Sequence, residues 1–108
     1  MTELLTINVE LADDFTYIHA RGEIDRANAE QFEQRLNEAV RSAVPRIVDL
    51  ADVTYIDSAG LRALQLSGQR GTMRIVLPAD ARIYRTVMIA GINELMPIVE
   101  TVDDAKAR

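Results

Sequence analysis

The stretch that decides the fold runs from Ile47 to Leu61 and reads IVDLADVTYIDSAGL. It opens with a short apolar run of the kind that a strand buried on both faces requires. A second apolar cluster, at 53–56, is β-branched and aromatic in character. From Asp57 to Leu61 the pattern of residues changes from that of a strand to that of the start of a helix. A helix is expected from this point through Leu64 towards Gln69.

Ser58 is predicted to be the N-cap of this helix, since serine is among the favoured N-cap residues. Ala59 and Gly60 follow it, so no bulky side chain guards the hydroxyl from an approaching protein. Two interpretations of Ser58 are open from the residues alone. It either caps the helix and does nothing else, or it is a functional serine on an accessible surface.

Composition excludes several classes of protein. The chain has 108 residues, 48% of them hydrophobic and 27% charged, which is enough for one domain with an ordinary core. A net charge of −5 disfavours a nucleic-acid partner. The absence of cysteine excludes disulfides and thiolate metal sites. No signal pattern and no membrane-spanning apolar run is present, so a soluble cytoplasmic protein without a membrane partner is expected.

The N-terminal part reads as two strands, residues 4–10 and 15–22, joined by a turn-prone segment that favours an antiparallel hairpin. His19 is the only histidine and lies in the middle of the second strand. No second metal-type ligand is spaced near it, so a partly exposed strand residue is expected rather than a metal ligand. A single histidine without a G-x-S-x-G elbow also gives little support to a Ser-His-Asp hydrolase.

A first amphipathic helix is predicted after Asp25. Asn28 with Gln31 has the form of a capping box. The apolar positions then recur at helical spacing up to Pro45, which ends the helix. They are Ala29, Phe32, Leu36, Ala39, Val40 and Ala43.

Beyond the central helix, residues 67–71 are predicted to form a turn and residues 73–77 another strand. Asp80 is the predicted cap of a third helix, and Gly91 is its predicted C-cap. Tyr84 and Met88, beside its apolar stripe, are either packing residues, the favoured interpretation, or part of a protein-binding surface. A short strand at 96–99 and a frayed helical turn at 103–108 complete the chain.

The element order is therefore β-β-α-β-α-β-α-β with a terminal helical turn. Alternating strands and helices require crossovers and a mostly parallel sheet, which places the chain in the α/β class. In so short a chain the helices are expected mainly on one side of the sheet.

Several segments, in order, resemble the STAS domain and, within that group, the bacterial anti-sigma-factor antagonists. They are GEID at 22–25 followed by NAxxF, VDL at 48–50, DSAGL at 57–61, and AGINELMPI at 90–98. The resemblance covers nearly the whole chain and implies one STAS domain over residues 1–108. It implies a mixed sheet of four to five strands with helices mainly on one side. Ala59 stands where some members carry a second hydroxyl residue, which leaves Ser58 as the only phosphoacceptor in the motif.

The resemblance also implies partner switching. The unphosphorylated antagonist would bind an anti-sigma factor that is itself an ATP-dependent serine kinase, and so release a sigma factor for transcription. Phosphorylation at Ser58 would end binding, and a PP2C-type phosphatase would restore it. The implied protein is not an enzyme, holds no cofactor or metal, and is a monomer or a weak dimer.

The expected partner-binding residues are Asp25, Asp57, Ser58, Ala59 and Gly60. Asp25 and Asp57 both leave the carboxyl ends of strands, so their loops are expected to lie close together. The alternative for Asp57 is that it only ends the strand and favours the helix dipole, and the alternative for Asp25 is a helix cap. A phosphate at Ser58 is expected to be tolerated within this protein because free helix amides and the helix dipole offset its charge.

The sequence argues against a metal site and a nucleotide hydrolase and leaves one alternative function open. Asp49, Asp52 and Asp57 match no calcium loop, so a metal site is rejected. A nucleotide hydrolase lacks a phosphate-binding glycine loop and an acid–base set. A STAS module that is never phosphorylated, either a transporter-associated regulatory subunit or a scaffold, stays open as the alternative function.

Overall fold

The computed structural model describes residues 4–40 and 43–108. Five strands and five helices lie within these two ranges. The strands are β1 (Leu5–Leu11), β2 (Thr16–Ile24), β3 (Arg46–Ile56), β4 (Met73–Val76) and β5 (Ile98–Val99). The helices are α1 (Ala29–Glu38), α2 (Ser58–Gly68), α3 (Tyr84–Ile89), α4 (Ile92–Leu95) and α5 (Val102–Lys106).

The strands form one mixed sheet in the order β1-β2-β3-β4-β5. The β1–β2 hairpin is antiparallel, and β2, β3, β4 and β5 pair in parallel. Parallel neighbours need a crossover, and α1, α2 and the α3–α4 pair supply the three that are required. The predicted α/β class and mixed sheet of four to five strands are confirmed, and the number of strands is five.

Successive side chains of β3 point to opposite faces of the sheet and therefore contribute to two separate hydrophobic cores. Val48 and Leu50 point into the main core, which receives side chains from α1, α2, α3 and α4. Ile47 points the other way, where Ala105 of α5 covers it. Four helices therefore lie on one face of the sheet and the short α5 lies on the other. The prediction that the helices lie mainly on one side is confirmed.

The prediction for the first helix is correct at its start and wrong at its end. Asn28 is the N-cap position, but its side chain makes no capping hydrogen bond. Its Oδ1 instead accepts from the amide of Asp25 at 3.0 Å, so the capping box does not form. The helix ends at Glu38, and Ala43 lies beyond it in a left-handed conformation with φ 65°. Residues 41 and 42 of the predicted helix lie outside the described residues.

Two other predicted boundaries are corrected. The predicted turn at 67–71 begins too early, because α2 continues to Gly68. Asp80 does not cap α3, whose N-cap position is Ile83 with no side-chain hydrogen bond. Gly91 does end α3 with φ 77°, and its amide donates to the carbonyl of Met88 at 3.0 Å.

The C-terminal part contains an element that the pattern did not predict. The four-residue helix α4 follows Gly91 directly. It shortens the last strand to Ile98–Val99, where residues 96–99 were predicted. The terminal turn is a helix, α5, capped by the hydroxyl of Thr101, which accepts from the amide of Asp104 at 3.1 Å. Within the described ranges, no helix has the length and apolar character to cross a membrane.

A buried arginine joins the carboxyl ends of α1 and α2. Arg46, only 1% exposed, donates from Nη1 to the Leu36 carbonyl at 3.1 Å and to Ser67 Oγ at 2.6 Å. Its Nη2 donates to the carbonyls of Ser67 at 2.7 Å and Gly71 at 3.2 Å. Burial lowers the pKa of Arg46 from its ordinary value. The carboxyl ends of helices carry partial negative charge, so this cation stabilises the pair and fixes the orientation of α2.

Candidate functional site around Ser58

Asp57, rather than Ser58, is the N-cap of α2. Its backbone is extended, with φ −106° and ψ −173°. Its Oδ1 accepts hydrogen bonds from the amides of Ala59 at 2.9 Å and Gly60 at 3.1 Å. The prediction that Ser58 caps the helix is therefore wrong. Asp57 directly follows the end of β3 at the cap position, and a carboxylate is favoured at the positive end of a helix.

Ser58 is the first residue of α2, and its side chain takes no part in capping. It is exposed to solvent. It lines a shallow cavity of about 480 Å³ together with Asp57, Ala59 and Arg62. The interpretation of Ser58 as a helix cap without another role has therefore lost its structural basis.

The loop after β2 lies directly against Asp57. Asp57 Oδ2 accepts from the amide of Arg26 at 3.2 Å, and the amide of Asp57 donates to the carbonyl of Ile24 at 3.2 Å. The expected proximity of the Asp25 and Asp57 loops is confirmed by these bonds. Parallel pairing of β2 with β3 is the cause, because it brings both carboxyl ends to one edge of the sheet.

Asp25 shapes its own loop. Its Oδ1 accepts from the amide of Ala27 at 2.9 Å, and its carbonyl accepts from the amides of Asn28 at 3.1 Å and Ala29 at 2.8 Å. These bonds hold the turn that leads into α1. The side chain is partly exposed, so the carboxylate both orders the loop and lies at the surface.

Ala59 and Gly60 are placed differently from each other. Ala59 is partly exposed and lines the cavity beside Ser58. Gly60 is buried, and a Cβ there would lie 2.7 Å from both Ile24 Cγ2 and Ile56 Cγ1. Gly60 therefore allows α2 to pack closely on the sheet beneath Ser58. Because Gly60 is buried, it offers no surface to a partner.

The sequence interpretation missed two arginines. Arg26 and Arg62 are both exposed and both line the cavity that contains Ser58. Arg62 lies four residues after Ser58 in α2, on the same helix face, and this spacing was available from the sequence. Arg26 directly follows Asp25, whose loop was expected near Asp57, but only the structure shows that Arg26 lines the cavity of Ser58. Leu61, Gln65 and Ala90 also line this cavity.

A separate polar cluster lies on the opposite face of the sheet. The Tyr17 hydroxyl donates to Asp49 Oδ2 at 2.7 Å, and His19 Nε2 lies 2.7 Å from Asp52 Oδ2. Burial, and then the bonded Asp49 carboxylate, raise the pKa of Tyr17 above its ordinary value. His19 is partly exposed, as predicted, but its Asp52 partner was not predicted. Among residues 4–40 and 43–108 no group of three histidine, aspartate or glutamate side chains is arranged to hold a metal ion.

The described fold is a small α/β domain with one antiparallel edge strand and an exposed serine at the start of its central helix. A family model for the STAS domain matches residues 6–105. The chain belongs to the STAS domain family, and the sequence resemblance to that family is confirmed.

The chain is similar in sequence or in architecture to several individual proteins. The anti-sigma-F factor antagonist RsfA of Mycobacterium tuberculosis is 23% identical over 112 aligned positions, which cover 97% of this chain and 88% of RsfA. The crystal structure of an anti-sigma factor antagonist from Mycobacterium paratuberculosis is 28% identical, with a TM-score of 0.84 over 95% of this chain and 92% of that one. The anti-sigma factor antagonist SpoIIAA, in its unphosphorylated form, is 22% identical with a TM-score of 0.68, covering 93% and 92%.

Proposed function

We propose that this chain is an anti-sigma-factor antagonist that is switched by phosphorylation at Ser58. Its unphosphorylated form binds an anti-sigma factor that is also a serine kinase, and a sigma factor is thereby released. The observation that carries the proposal is the placement of Ser58, an exposed hydroxyl at the first turn of α2 that is not needed as a cap. The names of the M. tuberculosis and M. paratuberculosis relatives support the class of partner.

The face that meets the partner is defined by Asp25, Arg26, Asp57, Ser58 and Ala59, and is called the switch face below. Its two loops are held together by the Arg26–Asp57 hydrogen bond. Both are also anchored to sheet strands that end in the core. A surface fixed in this way loses little conformational freedom on binding, which favours affinity.

Phosphorylation would change the charge of the switch face without disturbing the fold. A phosphoserine adds a charge of about −1.5 to −2. Ser58 is exposed, so a phosphate attached to it displaces no core side chain. If the partner presents an acidic or desolvated surface here, like-charge contact costs several kcal/mol. Every 1.4 kcal/mol is a tenfold loss of affinity, so this cost is enough to end binding.

A PP2C-type phosphatase would reset the switch. Such an enzyme needs the phosphoserine to reach its own active site, and exposure of Ser58 beside the small side chain of Ala59 meets that requirement. No part of the cycle assigns catalysis to this chain, which acts as the substrate of the kinase and of the phosphatase.

The test compares four baits in a lysate of the source organism: wild type, Ser58→Ala, Ser58→Glu and Gln69→Glu. The last is the matched control, because it adds one charge at the exposed C-cap of the same helix. Bound proteins are identified by mass spectrometry, and Ser58 of the native protein is analysed for phosphate.

We expect an anti-sigma kinase to be retained by wild type, Ser58→Ala and Gln69→Glu, and lost with Ser58→Glu. Equal retention of one set of transporter or scaffold proteins by all four baits, with Ser58 unmodified in cells, would contradict the proposal. That result would establish the alternative of a STAS module that is not phosphorylated.

A further inference from the structure

Three amides in the first turn of α2, those of Ala59, Gly60 and Leu61, are already occupied. Asp57 Oδ1 takes those of Ala59 and Gly60, and the Asp57 carbonyl accepts from the amide of Leu61 at 3.0 Å. A phosphate on Ser58 would therefore lie beside the Asp57 carboxylate, and these three amides would already have acceptors. Three of the helix amides that were expected to offset its charge are therefore not free, so nearby cationic side chains would add to the compensation.

Two guanidinium groups are placed to supply it. Arg62 lies one helical turn beyond Ser58 on the same face of α2, where side chains four residues apart are neighbours. Arg26 reaches the same cavity from the β2–α1 loop, with its backbone fixed against Asp57. Among residues 4–40 and 43–108 neither guanidinium belongs to an ion pair, so both are available to a new anion.

We propose that Arg26 and Arg62 receive the phosphoryl group of phosphorylated Ser58 and hold it on the surface of this protein. This inference rests on the phosphorylation step of the proposed function. In that step Ser58 Oγ forms a bond to the γ-phosphorus of ATP, the bond from that phosphorus to the oxygen of the departing ADP breaks, and the hydroxyl proton passes to solvent. The arginines act after transfer as positioning residues, and they bind the phosphate oxygens by charge-assisted hydrogen bonds.

This arrangement makes the switch act in two ways at once. Before phosphorylation, the two arginines are exposed cations that an acidic partner surface can bind. Afterwards they are engaged within the protein by the phosphate, while the switch face gains a charge of about −1.5 to −2. The modification therefore removes two attractive groups and adds a repulsive one. A glutamate at position 58 has one negative charge and two acceptor oxygens, fewer than a phosphoserine supplies, so it reproduces this change only in part.

The test uses phosphoserine incorporated directly at position 58 during synthesis, which needs neither kinase nor partner. The second pKa of the phosphate, ordinarily about 6, is measured by ³¹P NMR titration. Four proteins are compared: the unsubstituted chain, Arg26→Gln, Arg62→Gln and the double variant. Arg70→Gln is the control, since Arg70 is exposed just beyond the far end of α2.

We expect the double variant to show a second pKa higher by about half a unit or more than the unsubstituted phosphoprotein, because nearby cations favour the dianion. Each single variant should fall between them, and Arg70→Gln should leave the value unchanged. Phosphorylation should also shift the Nε–Hε resonances of Arg26 and Arg62 in ¹⁵N spectra. Circular dichroism verifies that each variant is folded.

Identical phosphate pKa values in the unsubstituted and double-variant proteins, with unmoved arginine resonances, would overturn the inference. That failure is distinct from failure of the proposed function. The titration is independent of whether cells phosphorylate Ser58, and the bait experiment is independent of which side chains receive the phosphate.

Discussion

The carboxylate of Asp57 accepts a hydrogen bond from the backbone amide of Arg26 at 3.2 Å, across 31 residues of sequence. The same carboxylate caps α2 through its other oxygen. One side chain therefore joins the loop after β2 to the helix that begins with Ser58. The position of the proposed phosphoacceptor relative to Arg26 depends on this carboxylate.

Asp57→Ala should lower the free energy of unfolding by about 2 kcal/mol, because it removes the cap and the bond to Arg26. Ser58→Ala should change it by less than about 0.5 kcal/mol, since the serine makes no capping bond. Urea denaturation followed by circular dichroism measures both. A larger loss for Ser58→Ala than for Asp57→Ala would contradict the assignment of the cap.

Gly60→Ala should destabilise the protein by about 1–3 kcal/mol through overpacking, since the new methyl group would press on Ile24 and Ile56. Gly71→Ala is the control, because its Cβ would lie 3.7 Å from Val40 Cγ1, an ordinary contact. Thermal unfolding of the two variants gives the comparison. Equal melting temperatures would show that α2 has room to move away from the sheet.

Arg46→Met should cost roughly 3 kcal/mol of stability, because it removes the buried donor to the Leu36 carbonyl and to Ser67 Oγ. Arg70→Met, at an exposed arginine, should have little effect. Combining Arg46→Met with Ser67→Ala should cost less than the sum of the two single losses, since the two side chains share a hydrogen bond. Additive losses in denaturant titrations would contradict this coupling.

Tyr17 should make stability fall at alkaline pH. Its folded-state pKa is raised, by burial first and then by Asp49, while an unfolded tyrosine ionises near pH 10. The folded state therefore holds its proton above pH 10 while the unfolded state releases it, and stability declines as pH rises from there towards the folded pKa. Tyr17→Phe should lack this part of the decline. The measurement is the unfolding free energy between pH 8 and 11, and parallel curves for the two proteins would refute the expectation.

Ile89 should contribute to partner binding without contributing to stability. It is 76% exposed and precedes Ala90, which lines the Ser58 cavity. Ile89→Asp should weaken binding to the anti-sigma partner about tenfold or more and leave the melting temperature nearly unchanged. The control is Leu11→Asp, because Leu11 is 66% exposed and lies at the end of the edge strand β1. Equal affinities for the two variants would place the interface away from α3.

The element order was predictable because it depends on short-range patterns. Alternation in β2 and the apolar run in β3 specify strands, and the stripe from Ala29 through Phe32 and Leu36 specifies α1, since each pattern needs only near neighbours. The incorrect predictions concern the ends of helices and strands. Asn28 and Asp80 have the chemistry of caps, but Asn28 Oδ1 accepts from the amide of Asp25, and α3 begins only at Tyr84, four residues after Asp80. α4 escaped prediction because four residues carry too little periodicity.

The sequence by itself determined the α/β class and the family resemblance, and it indicated the segment around Ser58 as the candidate site. It also placed Arg62 one turn from that serine. Only the tertiary structure decided that Asp57 occupies the cap, that Gly60 is buried, and that Arg26 shares a cavity with Ser58. The physical reason is that periodicity and helix spacing are local, whereas strand register and loop direction are set by the packing of distant residues around one core.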